Sequence, residues 1–243
     1  MVLKKLVRPL LTLLIVSNFF VQERVFGKTI PALKDDHLIL MLIKNKSHDP
    51  LLRINKNISA KIVIDPGHGG KKTGAVSGNR FEKDDNLDIA LVVRDKLSAW
   101  NQEVIMTRNE DIDVSLEERS DISNSNYADL FVSIHRNAYS SSSVCGVEIF
   151  VMIDSPQINE YYANNVQKEI VRIGVQRDRG VKHEDFSVLR KTNAIAILIE
   201  LGFITNEMDN SLFDQNLEAY AEAITYGIIK SIYSHYGALW KFD

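Results

Sequence analysis

From Lys61 onward, short β-branched and aliphatic runs alternate with longer segments whose apolar residues recur at helical spacing. The strand-like runs are 61–65, 103–107, 129–134, 147–152, 187–189 and 195–199, and the helix-like segments are 84–100, 115–127, 157–173 and 216–236. Ser115 and Glu118 form a capping-box pattern at the start of the second helical segment. Strands that alternate with helices predict an α/β layered fold around a mostly parallel sheet.

The composition excludes several kinds of site. The formal net charge is -3 and no long basic stretch occurs in the body of the chain, so we expect no nucleic acid partner. The single cysteine, Cys145, cannot form an intrachain disulfide or build a thiolate metal site, and its simplest role is packing. Any metal site must therefore use histidine and carboxylate ligands.

The first 27 residues have the features of a signal peptide. Lys4, Lys5 and Arg8 precede an apolar stretch at 9–21, which is shorter than the roughly 20 residues of a membrane-spanning helix. Small residues allow cleavage after Gly27, and an uncleaved anchor is the alternative. In either case we expect the remainder of the chain to be exported to the periplasm or cell wall.

The exported part divides into two regions. Residues 28–60 contain a short apolar patch at 38–43 among polar and charged residues, and we predict a linker or a peripheral segment there. Residues 61–243 carry the alternating pattern and are predicted to form one folded domain.

Three predicted strands run directly into chemically capable side chains. His68 follows the first strand, His135 follows the strand at 129–134, and Glu200 follows the run at 195–199. Because the carboxyl ends of parallel strands meet at one edge of a sheet, we expect these side chains to gather there. Glu82 lies downstream of the glycine-rich loop after His68, and that loop can place it beside the two histidines.

Two neutral imidazoles and a carboxylate are a ligand set used by catalytic zinc, which keeps a fourth position open for water. Zinc lowers the pKa of that water toward ~7, and a further carboxylate is then needed as a general base. Glu200 is the candidate base. Asp65, three residues before His68, is predicted to accept the second ring N–H of that histidine and fix its tautomer.

Each of these residues also has a simpler interpretation. A histidine after a strand is commonly a surface or core residue, and Glu82 can be an N-terminal helix residue favoured by the helix dipole. Glu200 can be solvated or paired in a salt bridge, and Gly67, Gly69 and Gly70 can supply only a turn. The joint placement at strand ends favours a site without excluding these alternatives.

A set of ordered motifs carries a family resemblance. The motifs are 64–70, 81–84, 106–108, 128–138 and 199–206, accompanied by 146–148 and 178–182. Together they resemble the zinc-dependent N-acetylmuramoyl-L-alanine amidases, the family of bacterial cell-division and sporulation amidases. The resemblance spans about 61–236, and the ordered set is far more specific than any single motif.

The resemblance implies a site and a reaction. His68, Glu82 and His135 match the ligands of one zinc ion per chain, and Glu200 matches the glutamate that activates water. The implied reaction hydrolyses the amide between N-acetylmuramic acid and L-alanine in peptidoglycan or muropeptides. The implied fold is a three-layer, twisted, mainly parallel sheet flanked by helices, with the zinc site at the carboxyl ends of the strands. An activator or division protein is the implied partner.

Two departures from the family pattern add positive charge. Lys72 stands where the family often has Asp, and Arg136 stands where many members have a small residue. We group both residues with Asn137 as neighbours of the metal or the substrate. Our hypothesis is that Lys72 or Arg136 meets a carboxylate of the stem peptide.

The resemblance leaves two rival functions open. The first is a zinc peptidase that cuts within the stem peptide, and the second is a non-catalytic wall-binding protein on the same fold. Some family members carry a helix that blocks the zinc site. The stretch 152–179 has room for one ordinary helix, so we expect no inhibitory helix.

Overall fold

The computed structural model describes residues 58–175 and 177–239, with side chains described up to Tyr236. The predicted signal peptide, and the predicted linker apart from residues 58–60, lie outside the described residues. Within the described part of the chain, no helix combines the length and the apolar character that crossing a bilayer requires.

The strands and helices alternate along the chain as predicted. In chain order the elements are β1 (Lys61–Pro66), β2 (Val76–Ser77), β3 (Arg80–Phe81), α1 (Glu82–Ala99), β4 (Glu103–Met106), α2 (Leu116–Ser125), β5 (Leu130–Asn137), β6 (Val147–Val151), α3 (Gln157–Val171), β7 (Asp178–His183), α4 (Ser187–Lys191), β8 (Ile195–Phe203) and α5 (Glu207–Leu239). Ser115 and Glu118 form the predicted capping box before α2.

One sheet of six strands forms the centre, in the order β4-β1-β5-β8-β6-β7. Neighbouring strands among β4, β1, β5 and β8 pair in parallel, whereas β6 pairs antiparallel to β8 and parallel to β7. The prediction of a mainly parallel sheet is therefore confirmed. The short strands β2 and β3 form a separate antiparallel hairpin beside the start of α1.

Each face of the sheet has its own apolar layer. Ile64, Val132 and Ile199 lie on the face that packs against α1, α3 and α5. Val63 and Phe131 lie on the opposite face, which packs against the shorter helices α2 and α4. Successive strand residues point to opposite faces, which explains why β1 is buried almost throughout. Helices on both faces confirm the three-layer architecture.

Some element predictions were wrong in type or extent. Residues 187–189 form the start of helix α4 instead of a strand, because a three-residue apolar run has no period that distinguishes the two. The edge strand β7 was not predicted, since its sequence is polar and contains a glycine. Helix α5 has a kink at Asn216, where its backbone is non-helical, and the segment after this kink corresponds to the predicted helix. The helical segment that precedes the kink, from Glu207, was not predicted.

Candidate metal centre

Two buried arginines hold the loop that carries His68. Arg119 donates from Nη1 to the carbonyl of Pro66 at 2.7 Å and from Nη2 to the carbonyl of His68 at 2.6 Å. Arg108 donates from Nε to the Pro66 carbonyl at 3.0 Å and from Nη2 to the Gly67 carbonyl at 2.9 Å. These bonds occupy the carbonyls of a tight turn in which His68 has a φ of 61°. The turn fixes where the imidazole points.

Asp65 anchors this loop, but not through the His68 ring. Its Oδ1 accepts from Thr107 Oγ1 and from Arg119 Nη1, both at 2.6 Å, and its Oδ2 accepts from Ser133 Oγ at 2.7 Å. The prediction that Asp65 accepts the second ring N–H of His68 was therefore wrong. The fully buried carboxylate is held within the sheet and supports the loop through Arg119.

His68, Glu82 and His135 come together at the carboxyl ends of β1 and β5. Glu82 Oε2 lies 3.1 Å from His68 Nε2, and Glu82 Oε1 lies 2.8 Å from His135 Nδ1. One ligand atom from each residue lies within 4.8 Å of the other two. The two imidazoles meet edge to face, with ring centroids 5.0 Å apart. This arrangement can hold a metal ion.

Glu82 is the first residue of α1, and its carboxylate is buried among donors. The backbone N–H of Ala75 donates to Oε2 at 2.8 Å, and Asn86 Nδ2 donates to Oε1 at 3.2 Å. Burial alone disfavours the charged form, but hydrogen bonds with His135 and His68 outweigh it and hold the pKa of Glu82 below its ordinary range. The residue is therefore a carboxylate at neutral pH, as a metal ligand must be.

Two glycines allow these side chains to approach each other. A Cβ on Gly67 would lie 2.1 Å from His135 Cε1, and a Cβ on Gly74 would lie 2.5 Å from Glu82 Oε2. Both distances are far inside van der Waals contact. The loop glycines therefore do more than supply a turn, because their missing side chains leave the space that the ligand groups occupy.

Glu200 lies beside this cluster on the sheet. It is the Cα partner of His135 across β5 and β8, and of Glu148 across β8 and β6. Its Oε2 is enclosed and has no hydrogen-bond partner among the described residues, which is uncommon for a buried polar atom. Burial, together with the nearby charges of Glu82 and Glu148, raises the pKa of Glu200 well above its ordinary value.

Glu148 was not identified as a site residue from the sequence. It is buried, and its Oε1 accepts from Asn137 Nδ2 at 2.7 Å while its Oε2 accepts from Arg179 Nε at 2.7 Å. Lys182 Nζ also bonds Oε2. A glutamate within the apolar run at 147–152 was the available signal, because a charged residue inside a buried strand needs partners. Asn137 thus connects strand β5, which carries His135, to Glu148.

Arg136 and Lys72, the two positively charged residues that depart from the family pattern, lie in very different surroundings. Arg136 is 1% exposed, pairs with Asp85, and stacks 4.4 Å above the ring of Phe213. It points to the sheet face opposite His135, because neighbouring strand residues alternate. The hypothesis of a stem-peptide contact was therefore wrong for Arg136. Lys72 is exposed and its Nζ lies 3.1 Å from Asp113, and for this residue the hypothesis stays a prediction.

Comparisons with known proteins agree on one family. The family model described as N-acetylmuramoyl-L-alanine amidase matches residues 62–232. The amidase LytC of Bacillus subtilis is 37% identical over 72% of this chain, which spans 36% of the length of LytC.

Solved structures show the same relationship. The crystal structure of an N-acetylmuramoyl-L-alanine amidase from Clostridium difficile 630 is 36% identical, with a TM-score of 0.66, over 74% of this chain and 98% of that one. The CwlD amidase from Clostridioides difficile, solved in complex with the GerS lipoprotein, is 31% identical, with a TM-score of 0.67, over 72% of this chain and 98% of that one. The chain belongs to the N-acetylmuramoyl-L-alanine amidase family.

Proposed function

We propose that this chain is a zinc-dependent enzyme that hydrolyses the amide between N-acetylmuramic acid and L-alanine in peptidoglycan. The products are glycan and free stem peptide. The observation that carries the proposal is the cluster of His68, Glu82 and His135 with Glu200 on the adjacent strand. Family membership supplies the identity of the bond.

The donor set fits zinc. Two imidazoles and one carboxylate are a ligand set of catalytic zinc sites, and we assign His68, Glu82 and His135 to one ion per chain. Bound zinc supplies Lewis acidity toward the substrate carbonyl and lowers the pKa of water. Asp65, Arg119 and Arg108 keep the His68 loop in place, which reduces the ordering that ligand binding requires.

Glu200 is assigned as the general base. Its carboxylate takes a proton from the attacking water and returns it to the amide nitrogen of L-alanine as that bond breaks. Its position supports this role, because the register places it next to His135 and its Oε2 has no partner among the described residues. A raised pKa suits a group that must both accept and release a proton near neutral pH.

We further propose that the chain is exported to the periplasm or cell wall, with residues 1–27 as the signal peptide and 28–60 as a linker. The catalytic domain would then be 61–243. A lipoprotein complex of the related CwlD amidase supports an activator protein as a partner of this chain. Peptidoglycan or muropeptides are the proposed substrate.

The two rivals differ from this proposal in measurable ways. A zinc peptidase would cut a bond within the stem peptide, and a wall-binding protein would turn over nothing. Retention of all three ligand side chains in one cluster supports an enzyme, because a binding protein has no need of them. Family membership supports the amidase over the peptidase.

Zinc content and turnover, measured together on matched variants, test the proposal. Wild type should hold one zinc per chain and release stem peptide from purified wall. His135→Ala should lose most of the metal, whereas Glu200→Gln should retain it and lose about 10²–10⁴-fold in kcat. Glu160→Gln, a half-exposed glutamate paired with His183 on α3 and β7, is the control and should match wild type.

Two results would contradict the proposal. Turnover that survives in Glu200→Gln would exclude Glu200 as the base. A zinc-loaded wild type that binds wall but releases neither glycan nor peptide would favour the wall-binding protein.

A further inference from the structure

A row of polar side chains begins at His135 of the candidate metal centre and crosses the sheet. His135, Glu200 and Glu148 occupy adjacent strands β5, β8 and β6 and are Cα partners in succession. Their side chains share the face that carries Phe131 and Phe150. The last strand in the row is the edge strand β7, which lies beyond Glu148.

An irregularity in β7 directs two cations into this row. Val147 pairs with Asp178 and Ile149 pairs with Val181, so two intervening residues of β7 stand opposite the single residue Glu148. Gly180 takes a φ of 73° within this bulge. A bulge re-aims side chains, and here both Arg179 and Lys182 reach the same Glu148 oxygen. Arg179 and Lys182 are three residues apart, so without the bulge strict alternation would place them on opposite faces of the sheet and only one of them could reach Glu148.

The charges at the end of the row do not cancel. Arg179 and Lys182 share one carboxylate, so one positive charge is left over. Their side chains are 22% and 39% exposed, whereas the Glu148 side chain is 4% exposed. The Arg179 guanidinium also lies 5.0 Å from the ring centre of Phe203, which limits its movement. Glu148 thus holds two partly exposed cations in place along one side of the catalytic face.

The distance of these cations from the reaction centre is set by the sheet. Neighbouring strands are about 4.8 Å apart. Arg179 and Lys182 lie on β7, two strands from Glu200, and their side chains reach toward β6, so the cationic groups lie roughly 5–10 Å from Glu200. An extended peptide advances about 3.4 Å per residue. A substrate group at this position is therefore about two or three residues from the scissile amide.

We propose that Arg179 and Lys182 bind a free carboxylate of the stem peptide, with Glu148 as the positioning residue that holds them. This inference rests on the proposed function and names the part of the substrate that the site distinguishes. Guanidinium and ammonium groups form charge-assisted hydrogen bonds with carboxylates, and a packed arginine loses little freedom on binding. The pair takes the role that the sequence suggested for Arg136, whose side chain is buried on the other face.

The test compares two muropeptides that differ at one group, a free stem carboxylate in one and the same carboxylate amidated in the other. For wild type we expect kcat/KM to favour the free carboxylate by about ten-fold, mostly through KM. The double variant Arg179→Gln/Lys182→Gln should bring this ratio close to one. Lys182→Arg keeps the charge and should keep most of the preference.

A matched control exists elsewhere in the chain. Lys230 pairs with Glu169, and their side chains are 37% and 6% exposed, which nearly equals the 39% and 4% of the Lys182–Glu148 pair. Lys230→Gln therefore removes the same kind of ion pair from helices α5 and α3. It should leave the substrate ratio at the wild-type value.

Two results would overturn the inference: a wild-type ratio near one, or a ratio that persists in the double variant, including one that persists because activity on both substrates falls equally. If wild type turns over neither muropeptide, the proposed function fails. In that case the Kd values of the same two muropeptides, measured by calorimetry, test the inference, because the ratio of the two Kd values should show the same preference for the free carboxylate.

Discussion

His135 and Glu200 are direct Cα partners on the adjacent parallel strands β5 and β8. Paired residues project to the same face, so the imidazole of the candidate metal centre and a carboxylate lie side by side although they are far apart in sequence. The register between β5 and β8 therefore fixes the relative position of His135 and Glu200, which a local sequence motif cannot do. The loop after β1 then completes the cluster by bringing His68 against the same face.

Gly67→Ala should weaken zinc binding without unfolding the domain. An added Cβ would lie 2.1–2.5 Å from three atoms of the His135 ring, so the imidazole must leave the position in which its Nδ1 lies 2.8 Å from Glu82 Oε1. We expect a zinc affinity that is about 10–100-fold lower, as is usual when the support of a ligand is disturbed. Competition with a chromophoric chelator measures the affinity, and circular dichroism checks the fold.

Gly78→Ala is the control for this substitution. Gly78 lies in a nearby loop and has a positive φ, of 60°, which Gly67 does not, but an added Cβ at Gly78 would meet nothing within 4 Å. The control should show modest backbone strain of its own together with normal zinc affinity. Equal affinity in Gly67→Ala and wild type would mean that His135 does not ligate the metal.

Glu200→Gln should stabilise the metal-free protein at neutral and alkaline pH. The folded state raises the pKa of Glu200, so above the ordinary value near 4.3 it retains a proton that the unfolded chain has lost. Stability then falls as pH rises from that value toward the raised pKa. Glutamine does not titrate, and we expect it to add about 1 kcal/mol or more at pH 8.

The advantage of Glu200→Gln should shrink toward pH 4, where both states of the wild type carry the proton. Urea unfolding of both proteins in excess chelator, at pH 4 and pH 8, measures the difference. Glu103→Gln, with its glutamate at the exposed end of β4, should change little at either pH. A difference that is the same at both pH values would show that Glu200 does not titrate abnormally.

The sequence was sufficient to predict those elements and site residues that belong to long apolar patterns or to motifs in a characteristic order. Strand β1 is a mostly apolar run that stops at Pro66 and Gly67, and the first half of β5 is also mostly apolar. Because the ends of parallel strands meet at one edge of a sheet, the sequence predicted that His68 and His135 would lie together. The sequence was insufficient where tertiary packing decides the type of secondary structure. The polar sequence of β7 becomes a strand because β6 offers it an edge, and α4 is a helix because of the surface under it.

Side-chain partners were harder to predict than backbone positions. Asp65 is separated from Thr107, Arg119 and Ser133 by 42, 54 and 68 positions, so spacing alone favoured its sequence neighbour His68. Arg136 directly follows His135, yet its side chain lies on the opposite face of the sheet, against Asp85 and Phe213. The role of Glu148 depends on an irregular strand register that no pattern in the sequence revealed.

Arg136→Met should lower stability more than it affects substrate binding. The arginine side chain is fully enclosed, pairs with the buried carboxylate of Asp85 and bonds Asn210 at 2.6 Å. Removing it leaves Asp85 with Arg80 as its remaining cationic partner, so we expect a loss of about 3 kcal/mol, the lower end of the cost of breaking a buried ion pair. Thermal unfolding measures the loss, and KM on muropeptides at a permissive temperature should stay within about two-fold of wild type.

Lys191→Met is the companion variant. Lys191 is an exposed partner of Glu117 at 3.6 Å, and its loss should change stability by less than about 0.5 kcal/mol. An Arg136→Met protein with normal stability and a strongly raised KM would contradict this account and indicate that Arg136 contacts the substrate.

Mass analysis of muropeptides digested by the purified, zinc-loaded protein identifies the bond directly. We expect glycan that carries intact lactyl groups together with whole stem peptides beginning at L-alanine, and no products when a chelator removes the metal. Stem peptides cut internally, or the same products in the presence of chelator, would contradict a zinc-dependent amidase that uses His68, Glu82 and His135 as ligands.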